Sequence, residues 1–292
     1  MRILLATLAI AAAGVAQATN TVENTMTLAE TVKETPANIA NPAIPGGVVR
    51  AAYVSPRDGL ADWALAWAPV TGRTWAVVLH GHGSHGDQLY TRADIRQHWR
   101  DPLRAAGLGL LTPNLRDNAW MCPAAAEDLH DLLGWVRTRY GAQRFVFLSG
   151  SMGGAGNLIY ATQYPEDCAA VAALGATTDL AAYHAWLAGH PAGIQPEIAA
   201  AIAHAYGGGP AQAPDLYRRH SPCFHAERLT MPLFTAHGER DGLMPVEQLR
   251  QLAVRLNGQP NFIYVEVAGG NHDSPLFLPS AMTWIIQQAG RK

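Results

Sequence analysis

The chain has 292 residues, 49% of them hydrophobic and 15% charged, with a formal net charge of −2. This is enough apolar material for one large domain or two small ones, and too much for a disordered or fibrous chain. The near-neutral balance offers nothing that would steer the protein toward nucleic acid or an anionic membrane surface.

At the amino terminus Arg2 precedes an apolar run, Ile3 to Val15, and Ala16-Gln17-Ala18 follows as a small-residue cleavage site. The run is too short to cross a bilayer, so residues 1–18 read as a signal peptide and the protein as secreted or periplasmic. No later stretch is long and apolar enough to span a membrane. Residues 19–45, rich in Thr, Asn, Glu and Pro, read as an extended lead-in that is flexible or hugs the surface. The remainder, 46–292, reads as one domain.

Strands and helices alternate from Val48 onward. Val48–Tyr53 and Trp63–Ala68 form an early strand pair, and Trp75–Leu79 is a continuous apolar run, as expected of a strand covered on both faces. A helix is expected over about Leu89 to Ala106, stopped by Gly107, and then a short strand at Leu108–Leu111, limited by Pro113. Pro123 opens the next helix, whose apolar face is Leu129, Leu132, Leu133 and Val136, and Gly141 ends it. Phe145–Leu148, Ala169–Leu174, Met231–Ala236 and Phe262–Val267 complete the strands, with helices after Ser151, around Val246–Leu256 and at Met282–Gln288. This β-α-β order implies a mostly parallel sheet with helices on both faces. Residues about 177–228 break the rhythm with two helical patches, a Gly-Gly-Gly-Pro turn and no strand. They read as a small helical cap over the edge where such sheets bind ligands.

The turn after Phe145–Leu148 carries the strongest chemical signal. Ser151 stands between a buried strand and a helix, with Ser149 two before it, Gly153 two after and Gly154 next. A serine nucleophile projects from such a turn only if its neighbours are small, and the usual pattern is G-x-S-x-G. Ser149 departs from that pattern at its first position. The hydroxyl needs a base, and the base an orienting acid, in the chain order Ser, acid, His. Asp241 lies just past strand Met231–Ala236 and His272 just past Phe262–Val267, both on the edge that holds Ser151. Glu239 and Asp273 are rival acids. The oxyanion donors are expected from the backbone N–H groups of Met152 and of His82, the latter in the loop His80-Gly81-His82-Gly83. Trp120, Met121, Tyr183 and Trp186 either line an acyl pocket or pack the cap onto the core.

Other chemistries fit less well. Lysines occur only at Lys33 and Lys292, which leaves no internal lysine for a Ser–Lys dyad or a Schiff base. His80-x-His82-x-x-His85 resembles the first metal motif of the metallo-β-lactamase superfamily, but Ser84 stands where that family carries Asp. The three cysteines, Cys122, Cys168 and Cys223, allow one disulfide. Cys122 and Cys223 both fall on the active-site side, so they are the expected pair if any bridge forms, with Cys168 alone.

From about Val48 to Gln288 the chain resembles an α/β hydrolase. It is similar to the catalytic domain of prolyl-oligopeptidase-type proteins and to related secreted esterases. His80-Gly81-His82-Gly83, Trp120 to Ala125, Ser149 to Gly154, Ser221-Pro222 and the Asp241 and His272 turns carry the likeness. The resemblance implies a serine hydrolase that cleaves carboxylic esters through an acyl-enzyme, without cofactor or metal, on a small-molecule or polymer-linked ester. The alternatives are a serine peptidase acting on short peptides and a non-catalytic binding protein on a hydrolase scaffold.

Overall fold

The computed structural model describes residues 26–291, so the expected signal peptide lies outside the described residues. Among the described residues nine strands form one sheet, in the order β1-β2-β3-β5-β4-β6-β7-β8-β9. They are β1 (Lys33–Pro36), β2 (Val48–Val54), β3 (Ala61–Trp67), β4 (Thr74–Val77), β5 (Gly109–Pro113), β6 (Arg144–Gly150), β7 (Ala170–Leu174), β8 (Leu233–Gly238) and β9 (Phe262–Val267). Pairs β1–β2, β2–β3 and β3–β5 are antiparallel, and every pair from β5 through β4 to β9 is parallel.

The central strands are apolar throughout because both of their faces are covered. Trp75 and Val77 of β4 and Phe145 and Phe147 of β6 enter one core, while the intervening Ala76, Val146 and Leu148 enter the other. On the second face lie α3 (Gln88–Thr91), α4 (Ala93–Ile95), α5 (Asp101–Ala105) and α12 (Pro279–Ala289); α1 (Leu28–Thr31) and α2 (Ala37–Ala40) precede them in the chain. The first face carries α6 (Pro123–Tyr140), α7 (Met152–Gln163) and α11 (Glu247–Arg255). Pro123 sits at the start of α6, and Gly141 ends it at φ 66°, a left-handed conformation that glycine adopts without strain. Between β7 and β8 stand α8 (Leu180–Gly189), α9 (Gln195–Ala205) and α10 (Pro214–Arg219).

Two expectations need correction and a third needs detail. The helix over Leu89–Ala106 is broken: α3 and α4 are single turns, and a π turn at Arg96–Arg100 leads into α5. Pro102 has no N–H to continue the regular ladder, and the Asp101 N–H reaches back five residues to Arg96 O. Within the lead-in, β1 pairs with β2 and Leu28 is fully buried. That strand has no alternation to reveal it, since all four of its residues are exposed. Finally, Cys122, Cys168 and Cys223 are all unpaired and buried. The Cys122 and Cys223 segments do meet, but through the His220 ring and the Tyr206 hydroxyl, both on Met121 O. Cys223 is fixed elsewhere, its N–H donating to Thr178 O.

Candidate active site

The turn that carries Ser151 is built by close backbone contact. Ser151 links β6 to α7 at φ 58° and ψ −131°, a conformation costly for any residue with a Cβ, and its N–H donates to Leu174 O at 2.8 Å. Gly153 must lack a side chain, because a Cβ there would collide with the carbonyl oxygens of Leu79 and His80. Gly154 is confined in the same way by Leu174. The strain holds the Ser151 hydroxyl out at the carboxyl edge of the sheet.

Two further loops bring partners to that edge. His272, beyond β9, places Nε2 2.9 Å from Ser151 Oγ and Nδ1 2.7 Å from Asp241 Oδ2. Asp241, beyond β8, accepts the N–H groups of Leu243 and Met244 on Oδ1 at 2.8 and 2.9 Å. Its side chain is fully buried, and His237 Nε2 lies 3.2 Å from Oδ2 while donating to Met244 O at 2.9 Å. Burial works against the Asp241 charge. The approach of His237, the hydrogen bond and charge of His272 and the Met244 N–H nevertheless hold the carboxyl well below the usual carboxylate range. The rival acids are placed elsewhere. Glu239 accepts the Gly269 N–H at 2.7 Å, bracing the loop that leads to His272, and Asp273 is largely exposed, 3.8 Å from Arg92.

The loop after β4 supplies the remaining polar groups. Gly81 N–H donates to Gln88 Oε1 at 2.9 Å, Gly83 N–H to Asn118 Oδ1 at 2.8 Å and Ser84 N–H to Gly81 O at 3.1 Å. Among the described residues the His82 N–H has no protein acceptor. Met152 opens α7, where an N–H has no partner within the helix. Both expected oxyanion donors are therefore unspent. The three histidine rings of this loop do not converge: His80 faces the carbonyls of Gly81 and Asn114, His82 faces Trp120 and Glu197, and His85 faces Asp117. Among the described residues no cluster of His, Cys, Asp and Glu is arranged to hold a metal ion.

Of the aromatic and apolar candidates, Trp120, Met121 and Tyr183 are buried, and Trp186 is partly exposed. Trp120 Nε1 donates to His82 Nδ1 at 3.2 Å, and its ring lies 5.7 Å from that of Tyr183, which stacks in turn on Trp186 at 6.2 Å. The Tyr183 hydroxyl donates to Leu243 O at 3.1 Å. The series thus ties α8 to the loops carrying His82 and Asp241. Trp120 and Met121 also line a small pocket of about 20 Å³ beside Met152 and Leu79. The polar partners Gln88, Asn118 and Glu197 escaped the sequence reading. Gln88 opens the single turn α3, Asn118 sits in a loop and Glu197 on the exposed face of α9, and none matches a motif.

No family model matches the chain, and no curated protein does. Solved structures do. The chain is similar to the fluorophosphonate-binding serine hydrolase F of Staphylococcus aureus, with TM-score 0.61 and 15% identity over 83% of this chain and 99% of that one. It is similar to the S-formylglutathione hydrolase of the same organism, with TM-score 0.63 and 14% identity over 83% and 98%. A carbohydrate esterase from gut microbiota, in truncated form, matches with TM-score 0.59 and 16% identity over 78% and 91%. The sheet order, the strained serine turn and these likenesses together define an α/β-hydrolase fold.

Proposed function

We propose that the protein is a secreted or periplasmic serine hydrolase that cleaves carboxylic esters through an acyl-enzyme. The observation that carries this reading is the hydrogen-bonded chain Ser151–His272–Asp241, at 2.9 and 2.7 Å, hung from a strained strand-to-helix turn. Ser151 Oγ attacks the ester carbonyl carbon as its proton passes to His272 Nε2, and Asp241 steadies the imidazolium. The N–H groups of His82 and Met152 receive the charge that develops on the carbonyl oxygen. The imidazolium returns the proton to the departing alcohol, and water then releases the acid by the same steps. This chemistry draws on no cofactor and no metal. The substrate is a small-molecule or polymer-linked ester.

The test is a panel of acetyl, butyryl and feruloyl esters set beside a prolyl peptide, with fluorophosphonate labelling. Turnover of esters, labelling at Ser151 and a loss of about 10³-fold or more in Ser151→Ala are expected. Preferential cleavage of the peptide would reassign the enzyme as a peptidase. A folded wild type that is inert and unlabelled would leave a binding protein.

A further inference from the structure

Ser149 departs from the usual G-x-S-x-G pattern around the nucleophile, and its hydroxyl is engaged. Ser149 is fully buried in β6, and its Oγ accepts the Leu79 N–H at 2.8 Å. The same hydroxyl donates to Asn157 Oδ1 at 3.2 Å, and Asn157 Nδ2 donates to Ala172 O at 3.1 Å. Asn157 is also fully buried. One hydroxyl therefore links the end of β4 to β6, and through α7 to β7.

The position of this link matters because β4 stops early. Its ladder with β6 ends at the pair Val77–Phe147, and Val78 N–H turns to Leu111 O on the opposite neighbour, β5. Leu79 is beyond the ladder, where its N–H would otherwise be buried without a backbone acceptor. Ser149 Oγ replaces the missing carbonyl. On the α7 side the carbonyls of Leu79 and His80 rest against Gly153 so closely that no Cβ fits there. The strand end is thus held from two directions by residues flanking Ser151, three positions before the free His82 N–H.

We propose that Ser149 is a positioning residue for the oxyanion hole: its hydroxyl fixes the strand that delivers the His82 N–H relative to Ser151 and the Met152 N–H. The proposal rests on the serine-hydrolase reading above. It requires that loss of the hydroxyl weaken stabilisation of the charged oxygen more than binding of the neutral ester. Oxyanion donors act only at their correct distance, so a small retreat of the loop lowers kcat and leaves KM nearly unchanged.

An ester and its thionoester analogue separate this from a general loss of folding. Sulfur is a poor hydrogen-bond acceptor, so an intact oxyanion hole favours the oxygen ester, and a displaced one discriminates less. Ser149→Ala is expected to lower kcat for the ester about 10- to 100-fold, with a smaller fall for the thionoester. Ser149→Cys, close in size but a weak acceptor, should lower the ester-to-thionoester ratio without opening a cavity, which keeps the test available if the alanine variant does not fold. Ser149→Thr retains the hydroxyl and should restore the ratio. A ratio unchanged in both Ser149→Ala and Ser149→Cys would overturn the proposal, even if both rates fell. Failure of the underlying reading looks different: fluorophosphonate would not label Ser151 in the wild-type enzyme.

Discussion

Asp241 accepts hydrogen bonds on both of its oxygens, and those contacts divide its work. Oδ1 is held by two backbone N–H groups, which fix the carboxylate, while Oδ2 meets the His272 ring. Replacing Asp241 with Asn puts an amide where His272 Nδ1–H needs an acceptor, so the ring takes the wrong tautomer. A fall in kcat of about 10³- to 10⁴-fold with little change in KM is expected. A larger effect from Glu239→Gln would reassign the acid. The same carboxylate also ties stability to pH. Its folded pKa lies below the unfolded value of about 3.9, so its contribution is complete above that pH and fades as the pH falls toward the folded value. Melting temperatures measured from pH 5 down to pH 3 should therefore fall more steeply for the wild type than for Asp241→Asn.

At the scale of elements, the segment between β5 and α6 runs through a series of residues with positive φ: Leu115, Arg116, Asp117, Trp120 and Met121, all between 48° and 63°. Side chains of other elements hold them there. Asp62 on β3 accepts the Arg116 N–H at 2.7 Å, and the Arg116 guanidinium reaches Asp58, Ser55 and the fully buried Asp128. The segment in turn presents Asn118 to Gly83 and the Trp120 indole to His82. Burial pushes the Asp128 carboxyl up, against the pull of Ser55 and Arg116, so its charge depends on that guanidinium. Arg116→Met should cost about 3–5 kcal/mol by leaving a buried carboxylate unpaired, and should also lower kcat as Asn118 withdraws from Gly83. Adding Asp128→Leu should recover most of the stability but not the rate. Urea denaturation alongside ester turnover reads both; a single variant within 1 kcal/mol of wild type, on the order of an exposed pair's worth, would refute the argument.

For the whole molecule, sequence revealed what periodicity and strand ends can mark. The central strands read as continuous apolar runs because helices cover both faces, and Ser151 and Asp241 each follow a buried strand while His272 follows the half-exposed edge strand β9; position after a strand is why their shared edge could be inferred. The bracing could not. Asn118, Glu197 and Asp62 act across long sequence separations, Gln88 braces Gly81 from the next element, and none of these polar residues carries a pattern that names its partner. The broken α3–α5 stretch was obscured because apolar spacing does not show where a missing proline N–H interrupts the ladder. The exposed β1 was hidden for the opposite reason, having no buried face to print an alternation. The cysteines show how far side assignment reaches: placing two on one edge was not enough to bring their sulfur atoms together. Burial pushes the Cys223 thiol up to about 12 and raises Cys122 and Cys168 as well. Without a crosslink in the fold, acquiring the native state requires no oxidant and no disulfide shuffling. The chain should mature equally well in a reducing compartment. Dithiothreitol should leave its melting temperature unchanged, and an aromatic disulfide reagent should titrate the three thiols only after unfolding. A melting temperature that drops on reduction would show that a bridge forms after all.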